Sequence, residues 1–118
     1  MKIHRLYADK NGESHFQDVE VEYAESTRAG RLSKRLPATG IIFREVQPDY
    51  DLDWHPAPRR QFVIILSGQL EIGCGDGSKQ VFGPGDARLV EDTTGKGHTT
   101  RVLGGEPCLT ATVPLAQQ

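Results

Sequence analysis

The apolar positions of this chain fall in short runs and strict alternations, with no stretch holding helical spacing for long. Val19, Val21 and Tyr23 alternate with Glu20 and Glu22, the pattern of a half-buried strand closing the segment from His15 to Tyr23. The densest run, Phe62-Val63-Ile64-Ile65-Leu66, ends in Ser67-Gly68 and predicts a buried strand from Arg59 to Leu66. Pro56 and Pro58 stand just ahead of it and prevent a helical start. Further short strands are expected over Lys2–Tyr7, Gly40–Val46, Gln69–Gly73, Lys79–Phe82, Ala87–Glu91, His98–Leu103 and Cys108–Val113. Glycine-bearing turns separate several of them, at Asp9–Gly12, Gly75–Ser78, Gly83–Asp86 and Gly104–Pro107.

Two stretches lack this signal. Residues 24–39 are polar and basic, and Leu32 and Leu36 alone make too thin a stripe for a stable helix, so a loop or short amphipathic turn is expected. The closing Leu115-Ala116-Gln117-Gln118 is expected to fray. Many short strands at this spacing predict an all-β sandwich or barrel. The length of 118 residues suits one domain, with N-terminal strands and a loop over 1–39 and a barrel core over 40–113.

Composition narrows the partners. Charged residues make up 25% of the chain and the net charge is −2, so no basic excess points to nucleic acid and no polybasic run to a membrane surface. No apolar run approaches a membrane span, and Met1–Tyr7 lacks the apolar core of a signal peptide; a cytoplasmic location is the expectation. Cys74 and Cys108 have no CxxC spacing and read as two reduced thiols.

Candidate chemistry gathers around the central segment. His55, Ala57, Arg59, Gln61, Val63 and Ile65 share one parity, so an unbroken strand would present them on one face, polar upstream and apolar downstream. That is the pattern of a strand that lines a pocket and then enters a core. His98 follows the loop Asp92–Gly97. Taken singly, each residue has a bland reading: His55 capping a strand, Gln61 bridging buried polar groups, His98 at a strand start, Arg59 in a salt bridge to Asp51, Asp53 or Asp92. Trp54 reads as a core or dimer anchor, and His4 and His15 as structural.

The succession of a strand, Ser67-Gly68-Gln69-Leu70-Glu71-Ile72, a hairpin, Phe82-Gly83-Pro84-Gly85-Asp86, a strand, a loop and His98 resembles a single-domain cupin over roughly residues 40–113. The resemblance implies a double-stranded β-helix (jelly-roll) barrel, commonly paired as a homodimer through sheet edges. In the family's first motif, G-x5-H-x-H-x3–4-E-x6-G, Gly68 takes the closing glycine, Gln61 the Glu position, His55 the first His and Ala57 the second. In the second motif, which begins at Gly85, Glu91 falls on the Pro, Thr93 on the Gly, and His98 arrives two residues late.

The implied ligands for a divalent transition metal (Fe, Mn, Ni, Zn or Cu) are thus His55, Gln61 and His98, with Asp53 or Glu91 assisting. The implied ligand of the barrel is a small polar or anionic organic molecule, with Arg59 orienting it by paired hydrogen bonds. Two functions stay open. One is an enzyme of dioxygenase, isomerase or lyase type, with a metal or with His55 or His98 as base. The other is a small-molecule-binding or sensory module without metal or turnover.

Overall fold

A computed structural model describes residues 1–116, in which every regular element is a strand. The order is β1 (Lys2–Ala8), β2 (Ser14–Glu20), β3 (Tyr23–Thr27), β4 (Gly30–Ser33), β5 (Ile42–Val46), β6 (Asp51–His55), β7 (Gln61–Ser67), β8 (Gln69–Gly73), β9 (Lys79–Phe82), β10 (Ala87–Val90), β11 (His98–Leu103) and β12 (Cys108–Pro114). A six-stranded sheet runs β2-β1-β10-β7-β12-β5, and a four-stranded sheet runs β6-β11-β8-β9. The all-β architecture expected from the alternations is what forms. No helix among the described residues is long and apolar enough to cross a membrane.

The inward positions follow the period of two. Val63 and Ile65 of β7, Leu70 and Ile72 of β8, Phe82, Val90 and Val102 are buried and make the core between the sheets, joined by Leu6 from β1. β1 pairs in parallel with β10, from His4 opposite Arg88 to Leu6 opposite Val90, so the N-terminal strands extend the large sheet. The chain end is also tied down. Leu115 is buried, and its N–H donates to the Arg60 carbonyl at 3.0 Å. The fraying expected of the tail therefore does not reach Leu115 or Ala116, and Gln117 and Gln118 lie outside the described residues.

Two expectations need correction. Residues 24–39 are not simply a loop: β3 and β4 pair as a hairpin, Tyr23 opposite Ser33 and Thr27 opposite Gly30. Its two strands join no other sheet and are almost wholly exposed, so apolar periodicity could not announce them. The radius of gyration, 14.7 Å, exceeds the roughly 13.5 Å of a compact chain this long, as a projecting arm requires. The second correction concerns the central segment. It is not one strand: Pro56 and Pro58 interrupt the ladder, β6 ends at His55 in the small sheet and β7 begins at Gln61 in the large one. The chain changes sheets there, so parity does not carry across.

Beside the edge strand β5, Ile41, Phe43, Leu66 and Leu109 are exposed, an apolar side left uncovered by the described residues. Trp54 is part-exposed, with the Lys96 ammonium 3.9 Å from its ring centre, rather than a core anchor. Cys74 and Cys108 are free and buried.

Glycine matters most at Gly97, which has a φ of 80° and whose added Cβ would overlap the His55 carbonyl. Gly77 has a φ of 88° but open space around the same position. Gly77→Ala is expected to cost about 1–2 kcal/mol, the left-handed backbone penalty alone. Gly97→Ala adds a backbone clash and is expected to cost clearly more, on the order of 4 kcal/mol. Urea unfolding of the two variants checks this, and equal losses would refute the close approach.

Candidate functional site: a cationic cavity inside the barrel

The small cavity of the barrel, about 180 Å³, opens between the two sheets. The large sheet contributes Arg44 and Val46 (β5), Gln61 and Val63 (β7), Arg88 and Val90 (β10), and Thr110 and Thr112 (β12). The small sheet contributes Leu52 and His55 (β6), Leu70 (β8), and His98 and Thr100 (β11). Tyr50, Ala57 and Pro58 complete the wall. Two arginines and two histidines therefore line the space, and among the described residues no aspartate or glutamate does.

His55 and His98 sit opposite each other on β6 and β11, ring centres 4.5 Å apart and planes inclined by 58°. They converge, but both come from the small sheet. The β6–β11 pairing slips by a bulge between His98 and Thr100, a device that re-aims side chains at the end of a ladder. Each ring is held at Nδ1. The Nδ1 of His55 donates to the Asp53 carbonyl at 2.7 Å, and that of His98 donates to Asp92 Oδ2 at 2.5 Å. Because both partners are acceptors, each Nδ1 carries a proton. Burial pushes the His55 imidazole below its ordinary value, the bond to the Asp53 carbonyl works against that, and His98 beside it lowers it further. His55 is accordingly neutral at pH 7.

Behind His98 lies a second layer. Asp92 has no exposed surface, and its Oδ2 also accepts a hydrogen bond from the Ser14 hydroxyl at 2.8 Å. Its backbone carbonyl accepts from Ala57 N–H at 2.9 Å. The loop before β11 is thus pinned to β2 on one side and to the Pro56–Pro58 crossover on the other. Gly95 lies in backbone contact with Gly12, and Glu13 bridges Gly97, which extends the same clamp.

Arg88 is the unusual member. It is 6% exposed, and its Nε and Nη1 are buried without any acceptor. Burial lowers its pKa to about 10, with Asp92 opposing that shift and Arg44 adding to it. The Phe82 ring, 5.2 Å from the guanidinium carbon, adds a favourable face. A buried charge without a hydrogen-bonded partner costs several kcal/mol.

The other residues singled out in the sequence are placed as follows. Gln61 lines the cavity, with its Oε1 accepting from Arg59 Nη1 at 3.1 Å. Arg59 itself is exposed and does not line the cavity; the guanidiniums there belong to Arg44 and Arg88. Asp53 offers His55 its backbone carbonyl while its own residue is exposed. Glu91 is held by Arg60 and by Arg5, the latter at 2.6 Å. Burial alone would raise its carboxyl, but these two guanidiniums hold it below the usual carboxylate range.

A divalent ion would find two imidazole nitrogens and one amide oxygen here. Those donors carry no negative charge, and two guanidiniums share the space. Among the described residues no three His, Cys, Asp or Glu side chains gather around one point. The residues present do not fit a resident divalent ion by themselves.

No protein-family model and no curated protein matches this chain. Among solved structures, it is similar to protein NMB1881 from Neisseria meningitidis, at 17% identity over 64% of this chain and 72% of that one, with a TM-score of 0.49. It is also similar to a protein of Ralstonia eutropha JMP134 named a "putative mannose-6-phosphate isomerase", at 21% identity over 98% of this chain and 86% of that one, with a TM-score of 0.41. Likeness at this level carries no argument about the cavity.

Sequence reasoning missed Arg88, Arg44, Asp92 and Ser14. A signal existed for three of them. Arg88 and Asp92 share the parity of Val90, and Arg44 that of Val46, so each extends an inward row. Nothing local marks Ser14. Arg88→Met replaces a buried cation that lacks hydrogen-bond acceptors with an apolar chain of similar length. In anion-free buffer it is expected to stabilise the protein by about 1–3 kcal/mol. A large destabilisation in urea unfolding would show instead that the guanidinium is satisfied within the protein.

Proposed function

We propose that this is a cupin-like protein that binds a small organic anion inside the barrel, with Arg88 as its principal counter-charge. The supporting observation is the imbalance of the cavity wall: two guanidiniums, two imidazoles and, among the described residues, no carboxylate. A ligand bearing a carboxylate or phosphate would supply the acceptors that Arg88 Nε and Nη1 lack, in the strongest class of hydrogen bond available to them. Gln61, Thr100, Thr110 and Thr112 offer neutral polar contacts around it. The paired imidazoles form the reactive end of the same cavity, with the lone pair of the neutral His55 on Nε2. An isomerase or lyase using one of them as base needs no further group. A binding module without turnover would use the same arrangement for recognition alone.

Thermal melting against a panel of small carboxylates and phosphates tests the reading. At least one anion is expected to raise the melting temperature of the parent and to leave Arg88→Met unmoved. If no anion stabilises the parent, the reading is wrong.

A second reading, a divalent ion on His55, His98 and Gln61, has one observation in its favour. Both Nδ1 atoms are fixed by acceptors, the support that metal-binding histidines usually have. It predicts near-stoichiometric transition metal in protein purified without a histidine tag, and its loss in His55→Ala and His98→Ala. Metal-free parent protein that also takes up none on dialysis would sink it. The homodimer is likewise a proposal. The uncovered apolar side around Phe43 and Leu109 is the face a dimer would bury, and sedimentation showing only monomer at micromolar concentration would remove it.

A further inference from the structure

The cavity is lined by two arginines carried on strands that are not neighbours. Arg88 belongs to β10 and Arg44 to the edge strand β5, with β7 and β12 between them in the sheet. At the usual strand spacing their backbones are about 14 Å apart across the sheet. Both side chains line the same inner space. Neither forms a salt bridge with a carboxylate among the described residues: the pairs found involve Met1, Lys2, His4, Arg5, His15, Arg60, His98 and Arg101. Arg44 instead stacks over Tyr50, its guanidinium carbon 5.2 Å from the ring centre. Stacking of that kind engages the face of the guanidinium and leaves its N–H edges for an acceptor.

We infer that the ligand is a small dicarboxylate, one acid group meeting Arg88 within the barrel and the other meeting Arg44 at its side. The inference rests on the anion-binding reading of the cavity and extends it from one charge to two. The Arg88 guanidinium lies beside Phe82 and that of Arg44 beside Tyr50, so the two offer separate anchoring points for acid groups. A chain with an acid group at each end neutralises both and runs past Thr110 and Thr112, which lie on β12 between the two arginines. The cavity is small, about 180 Å³, and suits a short-chain diacid such as succinate or glutarate.

Calorimetric titration of the full chain as purified tests this. The probes are malonate, succinate, glutarate and adipate, the monoacids propionate, butyrate and pentanoate, and inorganic phosphate. Succinate or glutarate is expected to bind at least tenfold tighter than the monoacid of equal carbon number. Arg44→Gln is expected to reduce the diacid affinity to the monoacid level without changing the monoacid, and Arg88→Met to abolish both. Arg44 is exposed, so its variant is expected to melt close to the parent. Monoacids binding as tightly as diacids, or phosphate binding tighter than any diacid, overturns the dicarboxylate while leaving an anion site in place. Absence of binding by every probe overturns the anion site itself.

Discussion

Asp92 joins three parts of the chain that have no sequence proximity. Its carboxylate takes the Ser14 hydroxyl and the His98 ring on one oxygen, and its carbonyl takes the amide of Ala57. With no surface in contact with solvent, that charge is tolerable only while its donors stay in place. The N-terminal hairpin, the crossover between the sheets and the loop entering β11 are therefore interdependent. Loss of either side-chain donor leaves a buried carboxylate with one fewer partner, a defect worth about 1–3 kcal/mol, a sizeable fraction of a domain's whole stability.

The same cavity carries the opposite fault at Arg88. At Asp92 one carboxylate oxygen holds two donors while Oδ1 has none, and at Arg88 two buried guanidinium nitrogens lack an acceptor among the described residues. A chain selected for stability alone would have placed an aliphatic residue on β10 beside Val90. Marginal stability makes such an exception costly, and its natural compensation is a molecule from outside. Binding and folding are then thermodynamically linked, because occupancy of the cavity favours only the native state.

Much of the fold could be read from alternation and glycine-bearing turns, because each buried strand presents a two-residue period to one core. The arm formed by β3 and β4 could not, since a hairpin exposed on both faces has no apolar rhythm to detect. His55, Gln61 and His98 could be picked out because they fall on or near the ligand positions of the cupin motifs that the sequence resembles, and all three line the cavity. Arg59 was singled out by continuing a strand's parity through two prolines, and the change of sheet at that point breaks the rule. Ser14 lies 78 residues from Asp92 in the chain, and no local pattern connects them.

The two thiols have a use that follows from where they sit. Cys74 and Cys108 are almost without exposed surface, and burial pushes the Cys74 thiol up to about 11. Burial raises that of Cys108 as well, with Arg88 and Arg44 working against it. In the closed protein neither offers a thiolate to a reagent. Cys74 follows the end of β8 in the small sheet and Cys108 begins β12 in the large one. Alkylation rates at the two positions thus time the opening of each sheet separately, and a natural pair of built-in clocks is available without adding any label.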